Sequence, residues 1–137
     1  MITVHLPFAT VPLRSNARLH WAEKMVLTRN IRDATRLVAR DVTPFDVPVT
    51  ITLVWTVTNK RRRDVGASSP TLKAAIDGLV DAGVLTKGDS HEWVTEERLR
   101  IEIGQRPGVR LEIAVDENSA GRNVTQPTQD EQSEDRS

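Results

Sequence analysis

Apolar and polar side chains alternate first at the start of the chain, where Ile2, Val4 and Leu6 face one way, Thr3 and His5 the other, and Pro7 weakens any continuation. The same period of two is cleanest at Val49, Ile51, Leu53, Trp55 and Val57, with Thr50, Thr52, Val54, Thr56 and Thr58 on the opposite side. It returns at Leu99, Ile101 and Ile103 between Arg98, Arg100 and Glu102, and again at Val109, Leu111, Ile113 and Val115. Gln105 to Gly108 reads as a hairpin connection, which makes the fourth strand the return of the third.

Two stretches keep a helical period instead. From about Trp21 to Asp41, the residues Met25, Ile31, Ala34, Leu37 and Val38 fall close to one stripe, while Arg29, Arg32, Arg36 and Arg40 take other faces. A solvated face is the plainer use of that basic side; a track for phosphates is the sharper one. The second helix is expected from about Thr71 to Ala82, with Leu72, Ala75, Ile76, Leu79 and Val80 as its apolar stripe. Ser69 is placed to cap it, Pro70 suits its first turn, and Gly83 ends it. The order β-α-β-α-β-β predicts a single small α+β domain over residues 1–115, two helices on a mixed sheet of about four strands. From Asp116 to Ser137 large apolar residues all but vanish, so an acidic, disordered tail is expected there. Its plain use is solubility; the alternative is competition with DNA for the chain's cations.

Composition narrows the setting. At 137 residues the chain suits one domain, and 19 Lys and Arg balance 19 Asp and Glu, although the cations concentrate in the body. The absence of cysteine excludes disulfides and thiolate zinc sites and agrees with a reducing cytoplasm. The first residues, MITVHLPF, lack the form of a secretory leader, and no stretch reaches the roughly 20 apolar residues of a membrane span. A soluble, cytoplasmic protein without membrane contact is therefore expected.

The chemistry concentrates between Asn59 and Ser90. Lys60, Arg61, Arg62 and Arg63 follow the longest alternating strand and end at Asp64, so a sheet end would present that carboxylate from a rigid place. Taken alone the run is weak, since an aspartate beside arginines is often only their ion-pair partner. Lys73 and Asp77 lie four apart and should be neighbours on the second helix; Asp89 follows in a polar turn. His20 reads as a surface or helix-start residue before it reads as a ligand or base. Trp21, Trp55 and Trp93 are core by default, with Trp93 the one placed to stack on a base.

The succession of basic run, aspartate, glycine-serine turn, PTLKAAIDGLVDAG and aspartate-serine turn resembles the RusA family of Holliday-junction resolvases, in particular its phage and prophage forms. There the pattern reads roughly RRRDxDN, a short insert, LKAxxDGLxxAGV and DDS. The layout matches over about residues 1 to 115, and the motif residues lie between Arg61 and Ser90. The resemblance implies a magnesium-dependent endonuclease, with manganese as an alternative, that cuts four-way DNA junctions in recombination and repair as a homodimer. By that resemblance Asp64 and Asp89 bind metal and serve catalysis, and Lys73 stabilises charge on the phosphate. Lys60, Arg61, Arg62 and Arg63 hold the DNA backbone, and Arg14 and Asn16 contact it from the loop after the first strand. Two positions depart: Gly66 and Gly88 stand where acids are expected, and glycine offers magnesium no side-chain oxygen. Ser68, Asp77 or Glu92 are the candidate replacements. The alternative is a degenerate relative that binds branched DNA, or a protein partner in replication, without cutting.

Overall fold

The computed structural model describes residues 1–118. Its elements are β1 (Ile2–Leu6), α1 (Trp21–Val38), β2 (Val49–Val57), a 3-10 turn (Val65–Ser68) running into α2 (Ser69–Asp81), β3 (Val94–Ile103) and β4 (Gly108–Val115). The expected α+β domain with two helices and a four-stranded mixed sheet is what forms. Its boundary lies slightly later than expected. The Asp116 N–H donates to the Pro48 carbonyl at 2.9 Å, and the Thr95 hydroxyl donates to the Asp116 carboxylate at 2.5 Å, so the sheet holds the chain past Val115. The rest of the expected tail, 119–137, lies outside the described residues.

The strand order is β1-β4-β2-β3, which corrects the expected hairpin. β3 runs parallel to β2, and β4 lies on the other side of β2, antiparallel to both β2 and β1. Gly104 carries the chain across the end of β2, where its N–H donates to the Val57 carbonyl at 2.9 Å. Burial explains the choice. As a hairpin partner of β3, β4 would sit at the margin; inserted between β1 and β2, its Val109, Leu111 and Ile113 are covered to 3%, 0% and 0% exposure. The margin goes to β3, whose polar positions tolerate solvent.

Both helices pack on the face formed by Ile51, Leu53, Leu111 and Ile113, burying Ile31 from α1 and Leu72, Ala75, Ile76 and Leu79 from α2. The helices meet at Gly78, where a Cβ would lie 2.5 Å from the Arg32 carbonyl oxygen and 2.7 Å from Thr35 Cβ, so only glycine allows this approach. Beside it Arg32 grips Asp81 with two hydrogen bonds, and that pairing holds the Asp81 carboxyl below its ordinary value. On the uncovered face Arg110 donates to Glu102 at 2.5 Å and to Glu112 at 3.0 Å, and its hydrogen bond lowers the Glu102 carboxyl.

Helix ends are set locally. His20 Nδ1 accepts the Ala22 N–H at 3.2 Å, so this histidine starts α1, which closes at Val38, short of Asp41. Ser69 is not the cap of α2: the 3-10 turn shifts that position to Ser68, whose hydroxyl donates to the Val65 carbonyl at 2.9 Å instead. At the other end Gly83 takes φ +80, with N–H bonds from Gly83 to Val80 and from Val84 to Leu79, the paired bonds of a Schellman motif. Trp55 is buried at 5% exposure, but Trp21, at 67%, lies outside the core expected for it.

Candidate nucleic-acid interface

The segment after β2 is shaped by Asn59. Its side-chain oxygen accepts the Arg61 N–H at 3.0 Å and Arg63 Nη2 at 2.9 Å, while Arg63 Nη1 donates to the carbonyls of Asn59 and Arg61. Arg63 is thus spent on folding its own loop, and its guanidinium carbon lies 5.7 Å from the centre of the Trp55 ring. Lys60, Arg61 and Arg62 are left exposed, with no carboxylate partner among the described residues.

A second loop reaches the same place from the start of the chain. The Thr71 hydroxyl, fully buried in the first turn of α2, donates to the Leu13 carbonyl at 2.7 Å and accepts the Leu13 N–H at 3.2 Å. Ser15 N–H adds a bond to the Ala67 carbonyl at 2.9 Å. This clamp sets the Arg14 guanidinium 6.0 Å from the Trp55 ring centre, so two cations flank one indole. Arg14, Asn16, Arg61, Arg62 and Asp64 line one cleft of about 380 Å³ floored by Trp55. Six of the residues expected to serve DNA binding or catalysis, Arg63 among them, therefore share a surface, although 50 positions separate Arg14 from Asp64 in the numbering.

Asp64 is exposed at the cleft margin. One carboxylate oxygen accepts the Gly66 N–H at 3.0 Å, capping the 3-10 turn, and the other makes no hydrogen bond among the described residues. Gly66 needs no glycine: its φ is not positive, and a Cβ there would meet only Asp64 Oδ1 at an ordinary 3.5 Å. Gly88 differs, because its φ of +84 is a left-handed backbone that acids with a Cβ adopt only with strain. One missing acid is thus a free substitution and the other follows from the turn.

The remaining expected site residues lie elsewhere. Lys73 is exposed on α2 and forms no ion pair with Asp77 among the described residues. Asp77 shares the α2 face of Asp81, where its charge acts on Arg32 of α1. Asp89 is exposed in the turn between α2 and β3. Because β2 and β3 are parallel, with Val49 beside Val94 and Val57 beside Ile103, Asp64 follows the far end of that pair and Asp89 precedes its near end. The 13 residues of α2 alone span about 20 Å between them. One chain therefore does not bring Asp64 and Asp89 into one coordination sphere, and the described residues contain no cluster of three or more His, Asp or Glu able to hold a metal. A single chain does not fit the magnesium site that the resemblance implies.

Sequence reasoning missed Asn59 and Thr71. Asn59 had a signal, an asparagine opening a turn after a strand. Thr71 had none, because its role depends on a partner 58 positions away. No protein-family model and no curated protein sequence matches the chain. Among the described residues no helix is long and apolar enough to cross a membrane.

Proposed function

We propose that this chain is a RusA-like protein that binds branched DNA, four-way junctions foremost, in the cleft lined by Arg14, Asn16, Arg61 and Arg62, and that as a homodimer it cuts the strand lying beside Asp64. The observation that carries the reading is the convergence of two distant loops on one cleft whose exposed cations lack carboxylate partners among the described residues. Cations neutralised within the protein gain little from DNA; unpaired ones gain by displacing counterions from phosphates. Trp55, buried beneath the cleft, has the Arg14 and Arg63 guanidinium groups about its ring.

The placement of the acids restricts how cutting could work. Among the described residues Asp64 has no second carboxylate of its own chain beside it, so a divalent metal there would be shared between Asp64 and Asp89 of a second copy. A two-fold dimer supplies two such sites, as paired nicks across a two-fold junction require. A second reading is favoured by the same geometry together with Gly66: the protein binds branched DNA, or a replication partner, without cutting.

Synthetic four-way junctions incubated with magnesium or manganese separate these readings. The nuclease reading expects wild type to cleave and the Asp64→Asn variant to bind without cleaving. Equal gel shifts with no cleavage by either protein would leave only the binding reading, and loss of neither binding nor cleavage in an Arg61→Ala, Arg62→Ala variant would remove the cleft from both.

A further inference from the structure

We infer that β3 is the surface through which two copies of this chain join, the two strands running antiparallel and crossing at Arg98. Among the described residues β3 lies at the sheet margin and is hydrogen-bonded on one side only, to β2. It has 10 residues against 5 in β1, the strand at the opposite margin. An open edge of that length is a template for another strand unless its charges forbid pairing.

The order of those charges and the length of the overlap together select one register. Along the uncovered face β3 carries Glu96, Arg98, Arg100 and Glu102. A crossing at Leu99 would set Arg98 against Arg100 and Glu96 against Glu102, like charge on like. Crossings at Glu97, Arg100 or Ile101 also set unlike charges opposite one another, but they shorten the overlap to Val94–Arg100, Glu97–Ile103 or Leu99–Ile103. With the crossing at Arg98, Glu96 of each copy faces Arg100 of the other. Arg98 meets its counterpart with each already paired to Glu96 of its own chain, and the overlap extends from Val94 to Glu102.

That register also matches what stands at the strand's ends. Val94 of one copy lies beside Glu102 of the other, so the turn carrying Asp89, Glu92 and Trp93 arrives over the segment from Asn59 to Arg63. An acid of that turn then meets Lys60, which borders a groove on that side and not the cleft of Arg14 and Arg62. This groove, of about 520 Å³, is lined by Val57, Val65, Leu99, Ile101 and Ile103, and in it Val65 is 43% and Ile103 57% exposed. The half-buried Trp93 of the incoming turn is of the size and character to fill it. The pairing carries Asp89 of one copy to the same end of the sheet as Asp64 of the other. The use of that approach for catalysis rests on the nuclease reading above; the strand pairing does not.

The chain has no cysteine, so one introduced thiol reports the crossing. Residues directly opposite in antiparallel strands have Cα atoms about 4.5–5.5 Å apart, within the range a disulfide bridges. Under mild oxidation Arg98→Cys, on a side chain 59% exposed, should form a disulfide-linked dimer. Arg100→Cys, whose two copies stand about 13 Å apart in this register, should do so on the order of tenfold more slowly. Light scattering of the wild type should give the mass of two chains, reduced towards one by Glu96→Lys. A wild-type monomer at tens of micromolar, or Arg100→Cys linking as fast as Arg98→Cys, would overturn the inference, as would a dimer in which neither thiol links. None of these measurements contains DNA or metal, so a failed cleavage assay leaves the interface standing. A junction cut by a protein that does not link at Arg98 would overturn the interface and spare the nuclease.

Discussion

Replacing Gly66 with aspartate returns to the cleft the acid that the RusA-like pattern expects, and the structure permits the cost to be worked out. The new Cβ finds 3.5 Å to Asp64 Oδ1 and no other atom within 4 Å, so no packing is lost. What is added is a second negative charge about 5 Å from the Asp64 carboxylate. In the water-like surroundings of two exposed groups that repulsion is about 1 kcal/mol. For a domain of this size such a loss lowers the melting temperature by roughly 4 °C. A divalent cation bound between the two carboxylates reverses the sign, adding about 2.7 kcal/mol at a concentration 100 times its dissociation constant. Thermal melts of wild type, Gly66→Asp and the uncharged Gly66→Asn, each with and without millimolar magnesium, provide the assay. Gly66→Asp alone should melt lower without metal and gain with it, and junction cleavage should rise in parallel. If magnesium leaves the Gly66→Asp melt where it was, the space beside Asp64 is not a metal site and the reasoning fails. Gly88→Asp is not the equivalent repair, since its φ of +84 adds backbone strain to any gain.

Three further outcomes follow from the geometry. Gly78→Ala forces a Cβ to within 2.5 Å of the Arg32 carbonyl; overpacking costs about 1–3 kcal/mol against roughly 1 returned by helix propensity, so urea unfolding should show a net loss of up to about 2 kcal/mol. Asp81 and Glu102 are lowered from ordinary values of 3.8 and 4.5 by Arg32 and Arg110. The stability from these pairs is complete above those ordinary values and is lost as pH falls through the lowered ones, so an Asp81→Asn, Glu102→Gln variant should show a flatter decline in melting temperature between neutral pH and pH 2. Junction affinity should fall roughly 40-fold per chain from 50 to 200 mM salt if Arg14, Arg61 and Arg62 each neutralise one phosphate, and Arg62→Ala should reduce the logarithmic salt slope by about 0.9.

The elements were legible where one face is buried along its whole length. Val49, Ile51, Leu53, Trp55 and Val57 keep the period of two and form β2, because helix packing on their side enforces it, although Val54 is buried on the other face as well. At the margin that enforcement weakens: the alternation of β3 is visible only from Leu99 on, while Glu96, Glu97 and Arg98 are solvated and carry no pattern. Strand order was not legible, since Gln105 to Gly108 suits a tight hairpin as well as a crossing past β2, and the depth of burial of Leu111 and Ile113 decides between them. The cap of α2 was misplaced by one residue because a 3-10 turn precedes it and leaves no local mark.

The candidate site divides in the same way. The cations from Lys60 to Arg63 announce themselves in the sequence, but the role of Arg63 as a loop staple depends on Asn59, and the approach of Arg14 depends on the buried Thr71 hydroxyl. The pairing of Asp64 with Asp89 was drawn from a motif, and a motif carries no distance: the 13 residues of α2 lie between them, and the parallel strands send them to opposite ends.

A site that uses both acids is, by this geometry, shared between chains. The most direct test of that sharing mixes two inactive variants, Asp64→Asn and Asp89→Asn, allows subunits to exchange, and measures cleavage of a four-way junction. In a mixed dimer one site then receives both defects while the other receives Asp64 from one chain and Asp89 from the other, intact. Sharing predicts that the mixture regains cleavage, chiefly as single nicks, where neither variant alone cuts. Active wild type together with a mixture as inert as its components would contradict it.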